Sequence, residues 1–243
     1  MLKNTIRNWC QKLMGFDQYL FIFSIANIFG IRFLGYEKEF RYFSNMIDPG
    51  GAILDVGANI GIMTVILAKK YPNTTIYAFE PIHENVKALE RVCRFYRIRN
   101  IQLFATALGD RNAEIKMMMP VVGQSKMQGL THVIEPDETI TGNIYSASMQ
   151  RMDDIESLLS ISKISAIKID VENFEFFVLK GGEALLQKHK PLVFCELWNN
   201  ERRRLCFEWM NSLGYRVAVL ENGDLMDFTS QEALNFFFLP ISS

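Results

Sequence analysis

The segment 53–61, with the sequence ILDVGANIG, constrains the fold more than any other part of the chain. An apolar run ends in Asp55, a glycine turn follows, and Gly61 opens a helical pattern. This order is typical of a strand, a tight turn and a helix N-terminus in an α/β sheet, where nucleotide-like ligands bind. The spacing of Gly57, Asn59 and Gly61 differs from the G-x-G-x-x-G of dinucleotide enzymes. The turn therefore favours S-adenosylmethionine (SAM), which has no pyrophosphate, over a dinucleotide.

From residue 50 onward, apolar strand patterns alternate with amphipathic helix patterns. The seven predicted strands are Ala52–Val56, Thr75–Phe79, Ile101–Ala107, Ala166–Val171, Leu192–Leu197, Tyr215–Leu220 and Phe236–Leu239. Strands that alternate with helices predict an α/β fold with a doubly wound, mainly parallel sheet. We expect one such domain over residues 41–243.

A section of about residues 111–152 interrupts this alternation. Glu114–Met119 and Tyr145–Met152 have strand patterns, and a polar, glycine-bearing loop joins them. This pattern predicts a β-hairpin inserted beside the carboxyl edge of the sheet. Long loops at that edge usually cover a ligand or build an acceptor pocket.

The first 40 residues are predicted to form a helical extension. Residues 1–16 contain three basic residues and no acidic one, and residues 20–34 are strongly apolar. The apolar run is shorter than the roughly 20 residues that a transmembrane helix needs. We expect these helices to pack on the domain or on a second copy of the chain in a homodimer. The alternative is peripheral contact of residues 1–34 with an anionic membrane surface.

The composition narrows the classes of partner and compartment. Lysine plus arginine number 26 against 27 acidic residues, a balance that argues against a nucleic-acid partner. The four cysteines form no C-x-x-C pair, as expected for reduced thiols. Reduced thiols predict a cytoplasmic protein, with membrane association as the alternative.

Two acidic residues at strand ends are candidates for cofactor binding. Glu80 ends the second predicted strand, where an acid accepts hydrogen bonds from both ribose hydroxyls of a nucleotide. A nicotinamide cofactor would satisfy Glu80 equally well. Asp55 ends a buried strand, and a buried carboxylate needs donors. We expect the turn amides, together with the SAM ammonium group or nearby water, to supply them.

The fourth predicted strand carries the candidates for catalysis. Side chains alternate along a strand, so Lys168, Asp170 and Glu172 are expected on one face at the ligand edge. Either acid could act as general base for an attacking hydroxyl, and His132 of the insert is a second candidate. Together with Glu196, the two acids could instead hold Mg²⁺, although we assign no metal because these acids lack a defined ligand spacing.

Five segments resemble the FkbM family of SAM-dependent methyltransferases. They are ILDVGANIG at 53–61, YAFEP at 77–81, ATALGD at 105–110, IKIDVENFEFFVLKGG at 167–182 and PLVFCEL at 191–197. The resemblance covers roughly residues 40–240. It implies a class I, Rossmann-like methyltransferase fold and methyl transfer to a hydroxyl of a glycan sugar or a natural product.

The resemblance also assigns residues to roles. It places Lys168, Asp170 and Glu172 on the family's strand-four motif, which usually reads D-V-E-G-x-E. Asn173 stands where that motif has glycine, and asparagine tolerates left-handed backbone angles better than most residues. We expect this change to affect acceptor geometry more than SAM binding. The residues implied in SAM binding are Asp55, Gly57, Ala58, Asn59, Gly61 and Glu80, with Ala107 and Leu108 near the adenine.

The prediction from sequence is a SAM-dependent O-methyltransferase that acts on a hydroxyl of a small molecule or glycan precursor. Two alternatives stay open. One is a nicotinamide-dependent oxidoreductase on the same fold, which the missing G-x-G-x-x-G disfavours. The other is a non-catalytic SAM-binding or interaction module, suggested by Asn173.

Overall fold

The computed structural model describes residues 2–241, with side chains from residue 6 onward. The described helices are α1 (Leu2–Met14), α2 (Phe16–Leu34), α3 (Lys38–Met46), α4 (Ile62–Lys70), α5 (His83–Phe95), α6 (Glu156–Leu159), α7 (Glu175–Gly181), α8 (Glu183–His189) and α9 (Glu201–Ser212). The described strands are β1 (Ala52–Val56), β2 (Ile76–Phe79), β3 (Ile101–Phe104), β4 (Ala107–Leu108), β5 (Ala113–Val122), β6 (Ser125–Lys126), β7 (His132–Val133), β8 (Gly142–Gln150), β9 (Ile164–Ile169), β10 (Leu192–Glu196), β11 (Tyr215–Glu221), β12 (Asp224–Asp227) and β13 (Asn235–Pro240).

The main sheet has the strand order β12-β11-β13-β10-β9-β1-β2-β3. The pairs from β10 to β3 are parallel, whereas β13 runs antiparallel to both of its neighbours. The predicted doubly wound, mainly parallel sheet is confirmed, but it has eight strands rather than seven. The additional strand, β12, pairs with β11 through Asn222 and Gly223, which both have positive φ. Asn-Gly between two strands is a hairpin signal that the seven-strand prediction did not use.

Helices cover both faces of this sheet, because neighbouring residues of each strand point to opposite sides. Leu54 and Ile167 pack with helices α6 to α9 in one core cluster. Ile53 and Ala166 pack with α3 and α4 in the other. Two helices, α7 and α8, follow β9 and are separated at Gly182.

The insert forms a second, smaller sheet. Strands β5 and β8 pair antiparallel over eight residues each, β4 pairs parallel with β8, and β6 and β7 pair with β5. The prediction placed Ala107 in a strand of the main sheet. In the structure, the main-sheet strand β3 ends at Phe104, and Ala107 belongs to the insert sheet through its pairing with Met149.

The N-terminal helices pack on the domain and on the insert. The Gln11 side chain of α1 donates to and accepts from the backbone of Lys126 in β6, at 3.0 Å for each bond. In α2, the hydroxyl of Ser24 donates to the carbonyl of Ile60 at 3.0 Å. Among the described helices, none alone is long and apolar enough to cross a membrane, whereas α2 and α3 pass that test as a pair bent by 74°.

Candidate functional site

A cleft opens at the carboxyl ends of β1, β2 and β9, with an empty volume of about 640 Å³ that includes its open mouth. The main sheet contributes one wall, which we call the sheet wall, and the insert contributes the facing wall, the insert wall. Residues of the sheet wall are Gly57, Asn59, Glu80, Asn85, Asp170 and Glu172, and residues of the insert wall are Met117, Gln128, Gly129, Thr131 and Val133. The implied adenine neighbours, Ala107 and Leu108, also line the cleft.

The glycine turn brings the ends of β1 and β9 into contact. Gly57 has a φ of +76°, and a Cβ added to it would lie 1.9 Å from the carbonyl oxygen of Asp170. No side chain fits there, so the close approach of the two strands requires glycine. Ala58 and Gly61 lie behind the turn, where Ala58 packs with Leu89 and a Cβ on Gly61 would meet Leu89 at 2.8 Å. These two residues therefore shape the turn without facing the cleft.

A buried charge network lies beneath the turn. Asp55 and Lys168 are register partners on β1 and β9, and Lys168 Nζ lies 3.4 Å from Asp55 and 3.5 Å from Asp170. Lys168 also donates to the carbonyl of Gly57 at 2.9 Å. Burial lowers the pKa of Lys168, but Asp170 and Asp55 outweigh it, so the pKa is raised and the ammonium stays charged.

This network corrects the expected donors of Asp55. The structure supplies the hydroxyl of Thr64, at 2.6 Å, and the ammonium of Lys168, in place of the turn amides and a SAM ammonium group. Asp55 is fully buried and Lys168 is 3% exposed. Both residues support the turn from below, and neither lines the cleft.

Glu80 lies at the end of β2 with its carboxylate in the cleft. One oxygen accepts from the backbone N–H of Asn59 at 2.9 Å, and the other accepts from the Ile82 N–H at 2.9 Å and the Asn85 side chain at 3.1 Å. Burial raises the pKa of Glu80 to about 7, and these hydrogen bonds limit the rise. The structure thus places the predicted ribose acid in a fixed orientation beside the turn.

Three buried amide oxygens in the cleft have no hydrogen-bond partner within residues 2–241. They are Oδ1 of Asn59, Oδ1 of Asn85 and Oε1 of Gln128. An unpaired buried acceptor costs about 1–3 kcal/mol, so a ligand with several N–H and O–H donors fits this cleft. SAM carries such donors on its adenine, its ribose and its ammonium group. Sequence reasoning missed Gln128, whose only signal was a polar residue within a polar loop.

The loop after β9 places the two candidate bases. Strand β9 ends at Ile169, so Glu172 is oriented by a turn and not by strand alternation. Glu172 and Asn173 have φ values of +53° and +70°. The buried carboxylate of Glu175 holds this turn, because it accepts from the N–H groups of Val171 and Asn173, both at 3.1 Å. Glu175 lies within the 167–182 motif, but the sequence pattern did not predict that it holds this turn.

Acidic groups crowd this edge, and the pKa values of Glu172 and Glu196 are raised there. Burial, followed by Asp170 and Glu196, raises the pKa of Glu172 to about 8. Burial and Asp170 likewise raise the pKa of Glu196 to about 7. Over the described residues, no three His, Cys, Asp or Glu side chains are grouped in a way that could hold a metal ion.

His132 lies on the far side of the insert wall. Its register partner is Met118, whereas the neighbouring pair Met117 and Val133 faces the cleft. One ring nitrogen lies 2.8 Å from the carbonyl of Leu130, and the other lies 2.6 Å from the Glu138 carboxylate. Both nitrogens face acceptors, so neither is free to take a proton from a hydroxyl in the cleft.

Arg202 of α9 joins the loop after β9 to the insert. Its guanidinium donates to the carbonyl of Asn173 at 2.7 Å and pairs with Glu135 of the insert at 2.5 Å. The side chain of Asn173 accepts from Asn200 at 2.7 Å. The asparagine at the family's glycine position therefore adopts the left-handed conformation and points its side chain to α9.

The family described as methyltransferase FkbM domain matches residues 55–217. Methyltransferase 1 of Beauveria bassiana is 26% identical over 142 residues, which are 53% of this chain and 57% of that protein. The 31-O-demethyl-FK506 methyltransferase FkbM of Streptomyces tacrolimicus is 26% identical over 157 residues, which are 56% and 60% of the two chains. The matched region thus spans less than two thirds of the length of either relative.

Solved structures share the fold. Methyltransferase FkbM of Methylobacillus flagellatus KT matches 80% of this chain and 45% of its own, with a TM-score of 0.54 and 18% identity. A SAM-dependent O-methyltransferase of Thermotoga maritima matches 89% of this chain and 72% of its own, with a TM-score of 0.52 and 12% identity. At these identities the likeness shows a Rossmann-like methyltransferase fold, as the sequence predicted.

Proposed function

The chain belongs to the FkbM family of methyltransferases, and on that premise we propose that it methylates a hydroxyl oxygen of a sugar, a glycan precursor or another small natural product. SAM is the methyl donor of this family. The observation that carries the proposal is that Glu80, the orphan amide oxygens and the acids Asp170 and Glu172 line one cleft. The name of the Streptomyces tacrolimicus relative, which specifies 31-O-demethyl-FK506, supports oxygen as the acceptor atom.

Within this proposal, Glu80 and the orphan oxygens hold the donor. When bound, SAM supplies an electrophilic methyl group, and its transfer to the acceptor oxygen leaves S-adenosylhomocysteine. Positive charge on sulfur is lost in the transition state, so a carboxylate beside the sulfur would stabilise the ground state more. An acid contributes more on the acceptor side, where it removes the hydroxyl proton as the new carbon–oxygen bond forms.

We assign the proton acceptor to Glu172. It lines the cleft, and its pKa of about 8 lies near an ordinary working pH, which suits a general base. Asp170 lies 3.5 Å from Lys168 and belongs to the buried charge network. Glu172 takes the hydroxyl proton while the methyl carbon leaves sulfur, and it returns the proton to solvent through the open mouth.

The reaction is proposed for the cytoplasm, since all four cysteines are free thiols within residues 2–241. No nucleic-acid partner is proposed, because the chain lacks an excess of basic residues.

Calorimetry of SAM and S-adenosylhomocysteine tests the donor site. We expect Glu80→Gln to weaken binding at least about tenfold, as for loss of a charged hydrogen-bond acceptor, while the exposed Glu90→Gln leaves it unchanged. Ligand hydroxyls donate to ionised Glu80, whose pKa is about 7, so binding should tighten from pH 6 to pH 8 in the wild type only. Binding of NAD without either SAM-type ligand would instead identify an oxidoreductase.

Transfer of tritium from methyl-labelled SAM to a panel of sugars, nucleotide sugars and polyols tests the reaction. We expect Glu172→Gln to lower turnover by about 10²–10⁴-fold with the donor affinity retained.

Wild-type kcat/KM should rise with pH and level off above about 8, because the base must be ionised. Asp170→Asn removes a like charge and should move that midpoint to lower pH. Full turnover by Glu172→Gln would reject the assigned base, and tight SAM binding with no transfer to any acceptor would indicate a binding module.

A further inference from the structure

We propose that α1 and α2 dock the protein onto an anionic lipid surface, with the outer faces of both helices against the headgroups and upper acyl chains. This inference concerns where the protein works and does not depend on the proposed reaction. Its occupant is a lipid bilayer rather than a second protein.

The outer faces of these helices are apolar and exposed. On α1, Ile6, Trp9 and Leu13 follow one helical face and are 55%, 68% and 64% exposed. On α2, Phe29 and Phe33 lie one turn apart, are 53% and 64% exposed, and contact each other through their rings. Groups of large exposed apolar side chains mark an interaction site.

The inner faces of the same helices are already occupied by the protein. Leu20, Ser24 and Ile28 of α2 are buried, and they pack on the domain through Ile60 and the helices α4 and α5. Gln11 of α1 is bonded to the insert. Only the outer half of each helix is therefore available to lipid, which is the geometry of a helix lying in the plane of the interface.

Charge favours lipid over a second copy of the chain. The first 36 residues hold four basic residues and one acidic residue, although the whole chain has a net charge of −1. Lys12 and Arg32 are exposed beside the apolar faces, and the Arg32 guanidinium lies 5.4 Å from the ring centroid of Phe33. Anionic headgroups attract each such cation by about 1 kcal/mol, whereas a symmetric dimer would bring like charges together. Exposed Trp9 suits the membrane interface, where tryptophan is enriched.

Sedimentation of the full chain with vesicles of phosphatidylcholine, with and without phosphatidylglycerol, tests the proposal. We expect binding to the mixed vesicles that falls with salt. The double variant Trp9→Ser, Leu13→Ser should lose at least about tenfold in partitioning, from the apolar area it removes. The matched double variant Leu159→Ser, Leu234→Ser changes residues of similar exposure elsewhere and should bind as the wild type does.

Lys12→Glu should weaken vesicle binding about fivefold or more. Lys188→Glu, on the opposite face of the main sheet, should leave vesicle binding unchanged.

A second readout guards against misfolded variants. Brominated lipid should quench the fluorescence of the wild type, and Trp9→Phe should remove this quenching while vesicle binding persists. Absence of binding to mixed vesicles would overturn the proposal. So would a wild-type dimer in light scattering that ignores vesicles and becomes a monomer on substitution of Trp9 and Leu13, since that result would assign the face to a second copy.

Discussion

The two walls of the cleft are built differently. In the sheet wall, neighbouring strand ends fix the groups: Gly57 touches Asp170, and Glu80 is held by three hydrogen bonds. In the insert wall, Gln128 has a partnerless oxygen, and the segment beside it is held from outside by Gln11. Both walls present unpaired amide oxygens, from Asn59 and Asn85 in the sheet wall and from Gln128 in the insert wall. The walls differ in how they are held: adjacent strand ends fix the sheet wall, whereas contacts from α1 fix the insert wall.

The contacts that seat the insert wall come from far along the chain. Gln11 and Lys126 are 115 residues apart, and Arg202 and Glu135 are 67 residues apart. The helix that seats the insert through Gln11 also carries the proposed lipid-facing residues on its outer side. Contacts of this kind seat a loop-built wall on a rigid scaffold.

The largest effect should come from a methyl group added to the sheet wall. Gly57→Ala places a Cβ 1.9 Å from the Asp170 carbonyl at a φ of +76°, so we expect it to destabilise the protein by at least about 3 kcal/mol and to abolish SAM binding. Gly123→Ala is the matched change in the insert, since Gly123 has a φ of +65° with nothing within 4 Å. It should cost only about 1–2 kcal/mol, the price of the left-handed backbone.

Urea unfolding followed by circular dichroism measures both variants, and calorimetry measures their affinity for SAM. Equal losses of stability in the two variants would mean that the sheet wall is no more tightly packed than the insert, and the comparison above would fail.

The sheet wall could be predicted from the sequence because local sequence patterns determine its strands and helices. Strands of period 2 alternate with helices of period 3.6, and the carboxyl ends of parallel strands meet at one edge. From the sequence alone, these two facts predict that Asp55, Glu80 and Asp170 lie at the same edge of the sheet. They do not say which groups face a ligand: burial turns Asp55 and Lys168 into supports beneath the turn.

The remaining errors come from contacts that strand and helix periodicity does not encode. Glu172 was expected on a strand, but Glu175 bends the chain into a turn one residue after Asp170. Gln128 lies in the cleft because Gln11 of α1 hydrogen-bonds β6 beside it. The sequence of a polar loop has no periodicity that would predict such a contact. The missed strand β12 is different, since Asn222-Gly223 gave a local signal that could have been read.

The next effect, of intermediate size, tests the insert wall directly. Gln128→Leu removes a buried oxygen that has no partner within residues 2–241. We expect the ligand-free protein to unfold at the same or higher urea concentration, and the affinity for S-adenosylhomocysteine to fall about two- to twelvefold, as for one lost hydrogen bond. The exposed neighbour Gln124→Leu should change neither value. Unchanged or higher stability with lower ligand affinity would identify Gln128 as a ligand-binding group. Loss of both stability and affinity would instead mean that Gln128 has a structural role.

The smallest effect concerns the link between the walls. Arg202→Ala removes the bond to the Asn173 carbonyl and the half-exposed pair with Glu135. A pair of this exposure contributes about 0.2–1 kcal/mol, so we expect the acceptor KM to rise a few-fold while the affinity for SAM and the stability hardly change. Arg204→Ala is the control on the same helix, because Arg204 pairs with Glu201 and Glu208 at the surface. Steady-state kinetics at saturating SAM separates the two variants. An unchanged acceptor KM in Arg202→Ala would show that the loop after β9 keeps its conformation without this link to the insert. It would also show that the sheet wall alone binds the acceptor.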